Sequence, residues 1–89
     1  MKLILCPKCS DVLRLFPAET MRACHCGQSY GRYKSDGLCA EIGGAAIPLG
    51  FSNPSFIKAI QQRPESGNGS VFEAFVIPRQ CSTIEVLKA

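Results

Sequence analysis

Residues 6–27 read C-P-K-C-S-D-V-L-R-L-F-P-A-E-T-M-R-A-C-H-C-G, with two close pairs of cysteines separated by fourteen residues. The first pair is Cys6 and Cys9, and the second pair is Cys24 and Cys26. Two residues between cysteines let a tight turn direct both sulfurs toward one point, and the spacer is long enough for one hairpin. The pattern therefore predicts that the four cysteines meet at a tetrahedral site holding one structural Zn²⁺ ion.

This arrangement resembles the zinc-ribbon family, and the whole chain looks like a small prokaryotic protein of that kind. In zinc ribbons two cysteine turns lie at the tips of β-hairpins. The resemblance covers residues 3–34 and implies that Cys6, Cys9, Cys24 and Cys26 are the ligands. The chain departs from the family pattern at two positions. The second pair is C-x-C rather than C-x-x-C, and Ser10 stands where the first turn normally has glycine. The resemblance implies a metal-stabilised fold and no particular activity.

Other interpretations of these cysteines remain open. Four unrelated core thiols would be ordinary for such a buried residue type, but two close pairs at this spacing rarely arise by chance. Iron can occupy a four-sulfur cage, although the one-residue gap breaks the symmetry of the paired turns. His25, which lies between two of the cysteines, can replace one of them as a ligand, but we expect it to point outward.

The sequence argues against an enzyme. A catalytic zinc needs an open coordination position and a nearby base, whereas four cysteines close the site and no motif places a glutamate beside it. Cys39 and Cys81 lie outside the pairs, and they would serve as a redox pair or a nucleophile only if activated. Since the chain has a single histidine, we expect both to be buried thiols in strand regions.

Size and composition indicate one small domain, residues 1–89. The chain has 89 residues, of which 46% are hydrophobic, so it can build a small core that a metal would usefully support. The predicted fold class is α+β and mainly β, with an N-terminal zinc ribbon packed on a small antiparallel sheet and one short helix. Residues 1–34 form the ribbon in this prediction, and residues 35–89 form a strand-helix-strand part of the same domain.

Hydrophobic periodicity predicts the individual elements. Residues 2–5, 11–16, 29–34 and 38–42 have strand patterns, and in residues 11–16 the side chains of Leu13 and Leu15 share one face. Residues 45–49 contain Pro48, which favours an edge strand. A helix is predicted over residues 54–62, because Ser52 or Asn53 can cap it and Pro64 ends it.

The C-terminal half is expected to supply the core. Residues 71–77, V-F-E-A-F-V-I, are apolar on nearly both faces, which predicts a central buried strand with residues 83–87 paired beside it. The helix has an apolar stripe that should pack on this strand. The predicted core is therefore Phe56, Ile57, Ile60, Phe72, Phe75 and Val76.

Charge is concentrated in the cysteine-containing part of the chain. Residues 1–34 carry six basic groups and two acids, whereas residues 35–89 carry four and five. Four thiolates with one Zn²⁺ would lower the net charge of +3 to about +1, which is too little to hold nucleic acid unaided. The candidate partner-binding residues are Lys8, Arg22, Tyr30, Arg32, Tyr33 and Lys34, on one face of the ribbon.

Two classes of partner fit that face. The near-neutral corrected charge favours another protein, so the expected function is a small zinc-binding protein-interaction module. The interleaved tyrosines and basic residues also suit nucleic acid, which is the alternative. Residues 43–53 are the most apolar loop-like stretch and offer either core or an apolar patch for a partner.

The sequence also predicts where the protein works. The apolar run at residues 3–5 is shorter than a secretory signal needs, and no other stretch approaches the length of a membrane span. We therefore expect a cytoplasmic protein with no membrane association and no small-molecule substrate. In that reducing compartment its cysteines would be metal ligands or thiols.

Overall fold

The computed structural model of the chain describes residues 2–17 and 20–87. Within these ranges the predicted class, α+β and mainly β, is confirmed, and no helix there is long and apolar enough to cross a membrane. The described residues form eight strands and one helix: β1 (Lys2–Leu5), β2 (Val12–Arg14), β3 (Arg22–Ala23), β4 (Ser29–Tyr33), β5 (Ala40–Gly44), β6 (Ile47–Phe51), α1 (Asn53–Gln61), β7 (Ala74–Val76) and β8 (Ile84–Val86).

The strands form two four-stranded sheets. The first has the order β2-β1-β6-β7, and the second has the order β3-β4-β5-β8. All neighbouring strands are antiparallel except β5 and β8, which are parallel. The two N-terminal hairpins thus belong to different sheets, and each is extended by strands from residues 35–89. This differs from the expected packing of a separate N-terminal unit on a single antiparallel sheet.

The core lies between the two sheets, behind the cysteine turns. Ile4, Leu13 and Leu15 of the first hairpin pack with Ala40 and Ile42 of β5, and Cys6 and Cys24 complete the cluster. The predicted alternation in residues 11–16 is confirmed, because Leu13 and Leu15 are buried while the side chains between and beside them are exposed.

The predicted C-terminal core is wrong. Ile57, Ile60, Phe75 and Val76 are each more than half exposed, and Phe72 is also exposed. The reason for β7 is topological: it is the last strand of its sheet and has a neighbouring strand on one side only, so Phe75 and Val76 lie at the open edge of the sheet rather than at its centre. The aromatic rings of Phe51, Phe56 and Phe72 instead form a small separate cluster, with ring centroids 4.9–5.4 Å apart.

The helix docks through a face that includes Phe56, as predicted, but not Ile57 or Ile60. Its buried residue is Ala59, and Phe56 is half-buried. Hydrogen bonds hold its start to the strand that follows, since the Glu73 N–H donates to Ser55 Oγ at 2.8 Å and the Ser52 N–H donates to the Glu73 carbonyl at 2.9 Å. Ser52 occupies the N-cap position but its side chain makes no capping hydrogen bond.

Two strand predictions also change. Residues 83–87 were expected beside residues 71–77, but β8 pairs with β5 in the other sheet. β6 was expected at an edge because of Pro48, yet it lies between β1 and β7. The Pro48 carbonyl accepts a hydrogen bond from the Ile77 N–H, and the Pro48 nitrogen faces the same side of the strand. At this point β7 has already ended at Val76, so the missing N–H of proline is tolerated.

Candidate metal centre

The first cysteine pair is carried by the turn between β1 and β2. Cys6 follows β1 directly, and its backbone N–H donates to the Asp11 carbonyl at 2.9 Å. The Ser10 N–H donates to the Cys6 carbonyl at 2.7 Å and closes the turn. Ser10 has a φ of 63°, the left-handed conformation for which glycine is usually used. Serine at this position therefore keeps the turn geometry at some conformational cost.

The second pair lies in the turn between β3 and β4. The Cys24 N–H donates to the Ser29 carbonyl at 2.9 Å, and the Gly27 N–H donates to the Cys24 carbonyl at 3.1 Å. Gly27 has a φ of 78°, which only glycine adopts without strain. The turn thus reverses within the shorter C-x-C spacing, and it brings Cys26 back toward Cys24.

The four predicted cysteines form one cluster, which we call the cysteine cluster: Cys6, Cys9, Cys24 and Cys26. All four sulfurs lie within 4.8 Å of one another. The Sγ atoms of Cys6 and Cys26 are 3.7 Å apart, and those of Cys24 and Cys26 are 3.6 Å apart. Four thiolates around a tetrahedral ion with metal–sulfur bonds of about 2.3 Å would lie about 3.8 Å apart. The cluster could therefore hold one metal ion.

His25 is exposed and does not belong to the cluster. Its backbone N–H donates to Asp11 Oδ2 at 2.9 Å, which ties the second turn to the first. The expectation that His25 points away from the sulfurs agrees with this arrangement. No local pattern in the sequence indicates this role of Asp11, which lies just before β2.

Ser29 lies inside the molecule, beside the second cysteine turn. Its side chain is fully buried, and its backbone N–H donates to Cys24 Sγ at 3.3 Å. Its Oγ atom makes no hydrogen bond with any described residue. The one signal in the sequence is a small polar residue at the start of β4, a position that alternation places on the buried face.

The surroundings shift the thiol pKa values in opposite directions. The Ser29 hydroxyl is the main cause that lowers the pKa of Cys6 to about 6, against the effect of burial. Desolvation acts to raise the pKa of Cys24, but hydrogen bonding from the Ser29 backbone contributes to a net lowering. For Cys26 the Gln28 backbone acts to lower the pKa, while desolvation and the neighbouring sulfurs raise it to about 12. The surroundings thus favour the thiolate at Cys6, and thiolate is the metal-binding form.

The candidate partner-binding residues do not share one face. Tyr30 and Arg32 alternate with Gly31 and Tyr33 along β4, and Arg22 pairs across from Gly31. Residues directly opposite each other in antiparallel strands project to the same side, so Arg22 and Tyr33 lie on the face opposite Tyr30 and Arg32. The expected common face is therefore wrong for Arg22 and Tyr33.

Two of the basic candidates are matched by acids. Arg32 Nη2 lies 3.5 Å from Glu41 Oε2, and Lys34 Nζ lies 2.7 Å from Glu85 Oε2. The hydrogen bond to Glu85 raises the pKa of Lys34. Lys8 is exposed on the first cysteine turn. These ion pairs reduce the positive potential that the sequence suggested for this part of the chain.

Both candidate tyrosines take part in packing. The ring of Tyr30 covers Gly43 on the neighbouring strand so closely that a Cβ there would overlap it. The Tyr33 hydroxyl accepts a hydrogen bond from the Lys2 backbone N–H at 2.8 Å, which joins β4 to β1 across the two sheets. Contacts within the fold therefore explain the positions of both tyrosine side chains.

An exposed cationic group is formed by residues of β2 and β3 together with Phe16, and of these only Arg22 is among the predicted partner-binding residues. The guanidinium carbons of Arg14 and Arg22 each lie 4.9 Å from the ring centroid of Phe16. Arg22 Nη1 also donates to the Arg14 carbonyl at 2.9 Å. Neither arginine forms an ion pair with any described residue. We call these three residues the arginine–phenylalanine cluster.

Cys39 and Cys81 are half-buried and precede β5 and β8 rather than lying within them. Hydrogen bonding to the Asp36 side chain raises the pKa of Cys39, whereas hydrogen bonding to Thr83 lowers the pKa of Cys81. Neither belongs to the cysteine cluster. They serve as natural controls for experiments on the metal ligands.

Comparisons of the chain with models of known protein families, with curated proteins and with solved structures found no match.

Proposed function

We propose that the protein is a small zinc-binding module of zinc-ribbon type that presents a surface to another protein. The observation that supports this proposal is the spacing of the four sulfurs, which suits a tetrahedrally coordinated ion. Because Cys6 and Cys9 come from one sheet and Cys24 and Cys26 from the other, the ion would fasten the two sheets together. For a domain with so small a core, such a link contributes directly to folding.

Metal analysis tests the first half of this proposal. Purified protein should contain about one zinc per chain, and removal of zinc by a chelator should unfold the two cysteine turns. Four protein sulfurs fill the tetrahedral positions, so the zinc would be structural and the protein would not be an enzyme. Protein that remains folded and metal-free after growth with ample zinc would contradict the proposal.

The part of the proposal that concerns partner binding is based on apolar side chains at the open edges of the two sheets. β7 and β8 are edge strands of the two sheets, and Val76 and Val86 on them are 66% and 60% exposed. These strands flank a cleft of about 670 Å³, the β7–β8 cleft, whose lining also includes Ile42 and Ile84. Exposed apolar surface of this kind marks interaction sites.

A single basic residue indicates the chemistry of the occupant. Arg79 lines the β7–β8 cleft and forms no ion pair within the described ranges. A buried carboxylate beside Arg79 would complete an otherwise apolar site. The proposed occupant is therefore an extended apolar segment of a partner protein that carries a carboxylate, lying along an open strand edge.

A peptide pair tests this assignment. A fluorescent valine-rich peptide with a free C-terminal carboxylate should bind the zinc-loaded protein more tightly than the same peptide with a C-terminal amide. Arg79→Gln should abolish that difference, whereas Arg63→Gln, outside the cleft, should preserve it. Equal binding of both peptides, or of neither, would contradict the assignment.

Nucleic acid is the second candidate partner, and the arginine–phenylalanine cluster favours it. Two exposed guanidinium groups beside an aromatic ring suit phosphate contact and base stacking. If this candidate is correct, binding to generic RNA or DNA should weaken with salt, and each of Arg14→Ala and Arg22→Ala should flatten the salt dependence by about one unit of slope. Binding that is insensitive to salt and to both variants would exclude this surface.

We place the protein in the cytoplasm in this proposal. The support is chemical: all six cysteines are free thiols, and four of them are arranged as ligands. A reducing compartment keeps cysteines in that form.

A further inference from the structure

The two sheets are closed against each other on one side of the molecule. β2 is the edge strand of the first sheet on this side, and residues of the second sheet occupy the carbonyls along it. Arg22 Nη1 donates to the Arg14 carbonyl at 2.9 Å, and the Tyr33 N–H donates to the Phe16 carbonyl at 3.0 Å. Contacts within the fold therefore cover the β2 edge.

The opposite side of the molecule is open, and β8 is the edge strand of the second sheet there. Among the described strands, β8 has β5 as its one neighbour. The Thr83 carbonyl and the Leu87 N–H both make hydrogen bonds with β5. Because peptide groups alternate in direction along a strand, those of Ile84 and Val86 point away from β5.

Three main-chain groups on this edge can pair with a further strand. The Ile84 N–H already donates to the Cys81 carbonyl at 3.1 Å, which leaves the Ile84 carbonyl and both peptide groups of Val86. Proteins usually protect such an edge with a proline or an unpaired charge. β8 contains no proline, and its one charged residue, Glu85, is paired with Lys34 at 2.7 Å.

The side chains of this edge open into the β7–β8 cleft. Ile84 and Val86 share one face of β8, and they line the cleft together with Ile42, the neighbour of Val86 on β5. Of the residues of β7, Val76 alone lines it. A strand added beside β8 would therefore direct alternate side chains into the apolar cleft, where it would also meet Arg79.

We propose that a segment of the partner protein adds to β8 as a fifth strand of the second sheet. This inference rests on the proposed function, and it specifies which of the two open edges takes the partner. The segment pairs its main chain with the free groups of Ile84 and Val86, and its alternate valine-sized side chains fill the cleft. In strand addition, main-chain hydrogen bonds give affinity and pockets for alternate side chains give specificity.

Methylation of the peptide tests strand pairing without any change to the protein. The probe is the fluorescent valine-rich peptide with a free C-terminal carboxylate, methylated at one peptide nitrogen at a time, and its binding to the zinc-loaded protein is measured by anisotropy. Affinity should fall by about tenfold at every second position, because alternate N–H groups of a paired strand face β8. Equal losses at all positions, or none, would overturn the inference.

Amide hydrogen exchange identifies the edge that takes the peptide. Saturation with the unmethylated peptide should slow exchange of the Val86 N–H. The Glu73 carbonyl and the Ile77 N–H are bonded toward β6, so the Ala74 N–H points out from the β7 edge and should exchange at an unchanged rate. Protection of Ala74 instead of Val86 would assign the partner to β7 and overturn the inference.

Proline variants test the same edge from the side of the protein. Val86→Pro removes the outward N–H and keeps the hydrogen bonds between β5 and β8, so it should weaken peptide binding by about tenfold or more. Ala74→Pro makes the same change on β7, outside the cleft, and should bind as wild type does. Zinc content and unfolding midpoints check that both variants fold. If Val86→Pro does not fold, the two wild-type measurements decide, and unchanged binding by folded Val86→Pro would contradict the inference.

The outcomes separate this inference from the proposed function. If wild type binds neither the carboxylate peptide nor the amide peptide, the partner assignment fails and strand pairing fails with it. If binding depends on Arg79 but shows no alternation and no protection at Val86, the strand-pairing inference alone is overturned. If the protein by itself sediments as a dimer that Val86→Pro makes monomeric, the occupant is a second copy of this chain, and the assignment to a partner protein is overturned.

Discussion

Asp11 Oδ2 accepts a hydrogen bond from the backbone N–H of His25 at 2.9 Å, and this contact joins the two cysteine turns on the outside of the cluster. The Asp11 carbonyl also accepts from the Cys6 N–H, so one residue closes the first turn and holds the second. Asp11 thus links two hairpins that belong to different sheets.

Asp11→Ala should lower the free energy of unfolding of the zinc-loaded protein by about 1 kcal/mol, because it removes this side-chain acceptor. Asp11→Asn keeps an acceptor oxygen and should lose less. Chemical denaturation with zinc present measures the difference. Equal stability of wild type and Asp11→Ala would show that the turns are aligned without this contact.

Cys9→Ser and Cys24→Ser should each abolish stoichiometric zinc binding, because a hydroxyl is a poor replacement for a thiolate ligand. Cys39→Ser is the matched control, since Cys39 lies outside the cysteine cluster, and it should keep about one zinc per chain. Metal content of the purified variants is the measurement. Full zinc occupancy in Cys9→Ser or Cys24→Ser would mean that the ligands are wrongly assigned.

Ile42→Ala should cost about 2–5 kcal/mol of stability, the usual range for emptying a buried aliphatic site. Ile42 is 2% exposed within the inter-sheet core, whereas Ile60 on the helix is 56% exposed. Ile60→Ala should therefore cost less than about 1 kcal/mol. Thermal or chemical unfolding of both variants measures the two losses of stability. A larger loss for Ile60→Ala than for Ile42→Ala would show that the helix packs into the core.

Gly27→Ala should destabilise the protein by about 1–2 kcal/mol, because its φ of 78° is unfavourable for any residue with a Cβ. No atom lies within 4 Å of a Cβ built there, so the effect isolates backbone conformation from packing. Ser10→Gly is the reciprocal test, since it relieves the same strain in the first turn and should not destabilise. The unfolding midpoints of the zinc-loaded proteins test the expectations for Gly27→Ala and Ser10→Gly. An unchanged midpoint for Gly27→Ala would show that the backbone conformation at this position does not require glycine.

Asp36 should add a pH-dependent contribution to stability. Its carboxylate accepts hydrogen bonds from the backbone N–H groups of Leu38 and Cys39, each at 2.9 Å, and these lower its pKa. Because the folded pKa lies below the unfolded value, the contribution is present above about pH 4 and is lost as pH falls through the folded pKa.

Asp36→Asn keeps the acceptor oxygen without the charge and provides the control. The stability difference between wild type and Asp36→Asn should therefore shrink on acidification below about pH 4. Zinc release in acid affects both proteins alike and cancels in the comparison. A difference that stays constant across this range would show that Asp36 does not titrate as described.

The sequence by itself determined the parts of the fold that depend on local geometry. The spacing of Cys6, Cys9, Cys24 and Cys26 requires two tight turns, and the alternation around Leu13 and Leu15 identifies the buried face of β2. The helix and the mainly β class follow from equally local signals. Each of these features is encoded within a few neighbouring residues, so that periodicity and turn chemistry suffice to find it.

Tertiary structure decided which strands become neighbours and which apolar residues lose contact with water. Nothing in the pattern of residues 71–77 distinguishes a central strand from an edge strand, because that depends on whether a second partner is present. The same holds for Asp11, whose hydrogen bond with His25 forms only when two hairpins from different sheets meet. Long-range pairing is set by the packing of the whole chain, and this is why local patterns located the four clustered cysteines but not the contact that joins their two turns.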